Sequence, residues 1–168
     1  MLYEMTIPQF TKMLHNLGLI LDKASVNATE RKFEMDVLMT ARLAPDQFTF
    51  SRQIQIACDT AKLYAARLSG KEAPLDEDKE TTLPEIKARI EKTIGFLNSV
   101  KAADFKDAEE KHITQPRWEG KYLTGFEYAT QHAIPNIYFH ITTAYSILRH
   151  NGIPVGKKDY LGEMPFKK

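Results

Sequence analysis

The sequence contains one cysteine, Cys58, in 168 residues. A single thiol excludes an internal disulfide, a CxxC redox pair and a cysteine-rich zinc site, and it suits a reducing, cytoplasmic setting. Long hydrophobic runs are missing as well: no uncharged apolar stretch approaches the ~18 to 20 residues of a bilayer span. The opening MLYEMTIPQF has neither a basic n-region nor an apolar h-region, so the expectation is a soluble, unprocessed cytoplasmic chain. Charge of one sign is not in excess. Lys+Arg number 23 against 22 Asp+Glu, a net +1, which leaves no global field to draw nucleic acid, anionic lipid or polyanions and excludes nucleic acid and membrane as expected partners.

Catalytic signatures are equally scarce. No GxSxG elbow, GxxxxGK[ST] phosphate loop or HExxH motif occurs, and Gly156-Lys157-Lys158 lacks the upstream glycine and the hydroxyl of a phosphate loop. A di-iron bundle centre needs two Glu-x-x-His pairs. Only Glu109 to His112 qualifies, in a polar connection. Asn27-Ala28-Thr29 matches a glycosylation acceptor by chance in a chain without a signal peptide.

What is present is helical patterning. A chain that is 43% apolar and 27% charged and of this length forms one domain, expected over residues 1–168, burying roughly two-thirds of its unfolded surface. Phe10, Met13, Leu14, Leu17, Ile20 and Leu21 mark the first helix, predicted over 6–24 with Thr6 and Gln9 as a capping box and Pro8 in the first turn. Phe50, Ile54, Ala57, Ala61, Tyr64 and Leu68 form a heptad-like seam that predicts a second helix over 51–69, stopped by Gly70. Thr82, Pro84 and Glu85 repeat the capping device before Leu83, Ile86, Ile90, Ile94 and Leu97, predicting a third helix over 83–99. Ile134, Ile137, Ile141, Ala144, Tyr145 and Leu148 predict the fourth, over 125–151, with Pro135 either kinking it or opening its second part. The fold class is therefore all-α, an up-and-down four-helix bundle with long connections after helices one and three. Residues 71–80, with five acids and two lysines, read as a solvated loop. Met35 to Met39 read as a short helix, and Ile113 to Leu123 around Gly120 as a small hairpin.

Polar residues align with a helix that must also be buried at one place. Asn136, His140, Thr143 and Ile147 form a strip on helix four, a quarter turn from the apolar stripe. His140 there is either a metal ligand or general base, or a core-edge histidine bonded within the protein. His132 joins that face only if Pro135 leaves the helix unbroken. His15, His112 and His150 have no such company, and Cys58 reads as a small buried hydrophobe.

The run PNIYFHITTAYSILRHNGIPVGKKDYLG, Pro135 to Gly162, and the segment RQIQIACDTAKLYAARLSGKEAP, Arg52 to Pro74, resemble an uncharacterised, domain-of-unknown-function branch of the DinB/YfiT-like superfamily of metalloenzymes. The resemblance implies a four-helix bundle, a homodimer, and a divalent zinc or nickel ion held by three histidines, one on helix two and an HxxxH pair on helix four. It places those positions at Ile56, Asn136 and His140, so one imidazole of three remains. Asp59 is the nearest carboxylate that could substitute and Asn136 offers an amide oxygen, which makes His140, Asn136 and Asp59 the candidate metal ligands of a site expected to be empty or weakly occupied.

Two functions follow from different classes. One is a metal-dependent or His140-based enzyme, of transferase or hydrolase type, acting on a small molecule in a pocket between helices two and four. The other is a non-catalytic, dimeric binding or stress-related accessory protein that has lost the superfamily metal.

Overall fold

The computed structural model describes residues 1–167. Three uninterrupted helices, α1 (Leu2–Glu30), α2 (Phe50–Ser69) and α3 (Leu83–Ser99), pack with a composite fourth rod. That rod consists of α4 (Gly125–Glu127), a π turn (Tyr128–Ala133) and α5 (Ile134–His150), and a short α6 (Lys157–Leu161) follows. A short 3₁₀ helix, Met35–Thr40, lies where the sequence places a short helix.

α2 and α3 lie within one residue of their expected spans. At α3 the cap forms as read: Glu85 Oε2 accepts from the backbone N–H of Thr82 at 3.0 Å and of Thr81 at 2.9 Å. α1 departs from its expected 6–24, because Leu2 is buried and the Tyr3 hydroxyl donates to the Val100 carbonyl at 3.3 Å. Those contacts draw the first residues into the helix. Thr6 is consequently not a cap: buried inside the helix, it donates its hydroxyl to the Leu2 carbonyl at 2.6 Å. Pro8 also lies inside the helix; its missing N–H leaves only the Glu4 carbonyl to water on the exposed side. At the other end, Ala24 and Ala28 carry the buried stripe on to Glu30.

Side-chain contacts set the helix directions. Tyr3 meets Val100 and Lys87 pairs with Asp22, so α1 and α3 are antiparallel. Gln53 meets His140 and Arg67 meets Tyr128, so α2 and α5 are antiparallel. Asp59 meets Arg89 and Lys71 meets the Ser99 carbonyl, so α2 and α3 run the same way. Arg31 Nη1 donates to the Asn151 carbonyl at 3.1 Å, so α1 and α5 do too. The expected bundle is thereby refined to rods running up, down, down, up, with the square closed in the order α1, α3, α2, α5.

Chain length permits this order. The 13 residues between Ser69 and Leu83 span about 45 Å when extended, enough to return along the roughly 30 Å of a 20-residue helix. The returning link, residues 70–82, lies over the groove between α2 and α3 as a strap. It is not the solvated loop its composition suggests, since the Asp76 and Glu80 side chains are only 8% and 15% exposed.

Pro135 shapes the fourth rod. It lacks the N–H that would bond the Gln131 carbonyl, and its ring crowds that oxygen; a widened π turn immediately upstream accommodates both. The rod continues through Ala133 and Ile134 in right-handed helical geometry. Before it, β1 (His112–Ile113) and β2 (Leu123–Thr124) pair antiparallel. Glu119 and Gly120 both have positive φ, and the Lys121 N–H donates to the Trp118 carbonyl at 2.9 Å, a type I′ turn at the tip of the expected hairpin.

Candidate functional site

The face shared by α2 and α5 carries two of the three candidate ligands, His140 and Asn136. His140, one turn after Asn136 on α5, is 6% exposed and faces α2. Its Nδ1 lies 2.6 Å from Gln53 Oε1, while Gln53 Nε2 donates to the Phe48 carbonyl at 3.1 Å. The carbonyl fixes the amide, the amide oxygen fixes the proton on Nδ1, and Nε2 keeps the lone pair. Burial first, and the Arg52 charge second, push the His140 imidazolium pKa down to about 4. The ring is therefore neutral at physiological pH.

Asn136 is held one turn away. Thr60 donates its hydroxyl to the Ile56 carbonyl at 2.7 Å, and its oxygen accepts from Asn136 Nδ2 at 2.7 Å. Two polar pairs, Gln53 with His140 and Thr60 with Asn136, thus cross-link α2 to α5 on either side of half-buried Ile56.

Asp59 faces the other way. Its Oδ1 lies 2.8 Å from Arg89 Nη2 and 3.0 Å from Lys62 Nζ. Arg89, 1% exposed in its side chain, also meets Asp78 at 2.7 Å and Glu80 at 3.0 Å from the strap. Lys62 pairs with Asp76, which Lys92 also reaches at 2.8 Å. Burial alone would raise the Asp76 carboxyl and lower the Lys62 ammonium, but their mutual ion pair and hydrogen bonds win, so Asp76 titrates below the ordinary carboxylate range and Lys62 above the ordinary ammonium value.

The donor set therefore does not fit a zinc or nickel centre. Two cations already hold Asp59 Oδ1, and turning this carboxylate toward His140 would take a partner from buried Arg89 and Lys62. Among the described residues no three His, Cys, Asp or Glu side chains group as metal ligands. Cavities indent the surface elsewhere: one of about 740 Å³ between α1 and α6 includes His15, Asn16 and Lys158, and one of about 490 Å³ lies against the hairpin.

His132 does not share the His140 face. The π turn directs it to the hairpin, where its ring stacks on Tyr128 at 5.3 Å and lies 5.7 Å from Trp118. His112 stacks on Tyr122 at 3.9 Å. Cys58 is buried, as its apolar neighbours imply.

Gln53, Thr60, Arg89 and the strap carboxylates were not legible as site residues. Gln53 and Thr60 stand seven apart on α2, the periodicity of one helix face, which is the signal that was available.

The geometry is that of a DinB-type helical bundle, and comparison with known proteins agrees. Residues 2–161 match the family described as a domain of unknown function, DUF1993, and the chain belongs to that family. The fold is similar to the crystal structure of a DinB family member protein from Shewanella denitrificans, with 58% sequence identity and a TM-score of 0.96 over 100% of this chain and 96% of that one. No match was found among curated proteins.

Proposed function

We propose that this DinB-family chain works without the superfamily metal, as a dimeric binding or accessory protein rather than a metalloenzyme. The observation that carries this reading is the commitment of the ligand positions. Gln53 fixes His140, Thr60 fixes Asn136, and Arg89 with Lys62 holds Asp59. Polar cross-links that join two helices replace the donors that would converge on an ion. The supporting test is elemental analysis of tag-free protein equilibrated with zinc or nickel and desalted. Occupancy far below one ion per chain is expected; one ion per chain, lost in His140→Ala, would overturn the reading.

A second reading rests on the His140 lone pair. Neutral, and with Nδ1 fixed by Gln53, the ring presents Nε2 as a base with no protein partner among the described residues. Under that reading His140 acts as a metal-free general base on a small molecule at the α2/α5 surface.

A further inference from the structure

The hairpin cavity, about 490 Å³, lies on the far side of the π turn from His140 and takes no part in the cross-links above. Its size is that of a small-molecule site. Arg117, Trp118, Lys121, Tyr122, Gln131 and His132 line it. We propose that this cavity binds a small aromatic carboxylate, its ring held between Trp118 and Tyr122 and its anion by Arg117 and Lys121.

The cations are the first support. Among the described residues neither Arg117 nor Lys121 is ion-paired, although Glu119 also lines the cavity. The one polar side-chain contact of Arg117 is from Nη2 to His132 Nε2 at 2.9 Å. A guanidinium has no acceptor, so Nε2 accepts and the proton of this imidazole sits on Nδ1. His132 Nδ1 is sealed from water with no partner. A sealed donor is an unfavourable resting state. Arg117 thus faces a neutral acceptor that a carboxylate, forming a charge-assisted bond, outcompetes. Arg67 adds positive potential from behind, donating to the Tyr128 hydroxyl at 2.5 Å with its guanidinium 5.5 Å from that ring.

The rings supply the second support. Stacking on His112 at 3.9 Å pins Tyr122, and Trp118 stands edge-on to Tyr128 at 6.1 Å and to His132 at 5.7 Å. The type I′ turn holds Trp118 and Lys121 three residues apart across its single hydrogen bond. Aromatic walls together with two cations that hold no carboxylate match a planar ring bearing one negative group.

Trp118 is the only tryptophan, so its emission reads the site directly. Benzoate titrated into the full chain under tryptophan-selective excitation should give a saturable change, and uncharged benzyl alcohol none. Arg117→Gln should weaken benzoate about tenfold and Lys121→Gln several-fold, the scale of a lost charged hydrogen bond. Both positions are exposed, and circular dichroism confirms that the variants stay folded. The proposal is overturned by no saturable response to benzoate, by equal affinity in both variants, or by equal binding of inorganic phosphate or cyclohexanecarboxylate, which would remove the role of the rings.

Discussion

Nδ1 of His140 and Oε1 of Gln53 meet at 2.6 Å across α2 and α5, and the Phe48 carbonyl holds the Gln53 amide from behind. This chain of bonds fixes a buried histidine in its neutral form, and stability should record it. The folded-state pKa of about 4 lies below the unfolded value near 6.5. Protons bind the unfolded state more readily between those values, so stability is full above about pH 6.5 and is lost as pH falls toward 4. The loss attributable to His140 is on the order of 2–3 kcal/mol. Urea unfolding of His140→Gln across that window should show a correspondingly flatter pH dependence. His132, also lowered by burial and by Arg117 and Arg67, leaves a residual slope of the same sign.

Gln53→Leu should cost about 1–3 kcal/mol in urea unfolding at pH 7, because it strands the His140 N–H and the Phe48 carbonyl together. An unchanged midpoint would mean that water replaces the amide.

Arg89→Met should destabilise by about 3 kcal/mol. It leaves the Asp59, Asp78 and Glu80 carboxylates crowded without their shared cation. Amide exchange in residues 70–82 should rise further than in α5, because the strap loses its central anchor while the α2/α5 face keeps its bonds.

Three glycines offer a contrast. A Cβ at Gly125 would lie 1.8 Å from the Ala108 carbonyl oxygen, against backbone that cannot step aside, whereas one at Gly18 or Gly95 meets nothing within 4 Å. Gly125→Ala should cost about 3 kcal/mol or more. Gly18→Ala and Gly95→Ala, inside α1 and α3, should each raise stability by about 0.5–1 kcal/mol in thermal or urea unfolding.

Burial pushes the Cys58 thiol up to about 12. Native protein should therefore resist a disulfide reagent at pH 8 and react with one equivalent in denaturant.

The proposed dimer is tested by sedimentation at tens of micromolar. Twice the 19.2 kDa chain mass is expected. Phe139, 54% exposed on α5, is the natural apolar contact, so Phe139→Arg should shift the species to one chain mass.

Local chemistry was legible in the sequence wherever a short stretch satisfies itself. The seam from Phe50 to Leu68 and the Thr82–Glu85 cap defined α2 and α3 to within a residue, because periodic burial and capping involve neighbours three to seven residues apart. The inward placement of His140 followed from the same periodicity. The first helix extends past its expected span at both ends, because Tyr3 is held by the distant Val100 carbonyl and Ala24 and Ala28 continue the buried stripe to Glu30. The strap shows the same limit more strongly: KEAPLDEDKE looks solvated by composition, yet its carboxylates face Arg52, Lys62, Arg89 and Lys92 across the α2/α3 groove. What the sequence determined by itself was the four long helices and the buried face of each; α6 and the π turn were not legible in it. Which partner each polar group meets, Gln53 for His140, Thr60 for Asn136 and Arg89 for Asp59, was decided only by the up, down, down, up packing, because a hydrogen bond or ion pair depends on ångström distances between residues far apart in the chain.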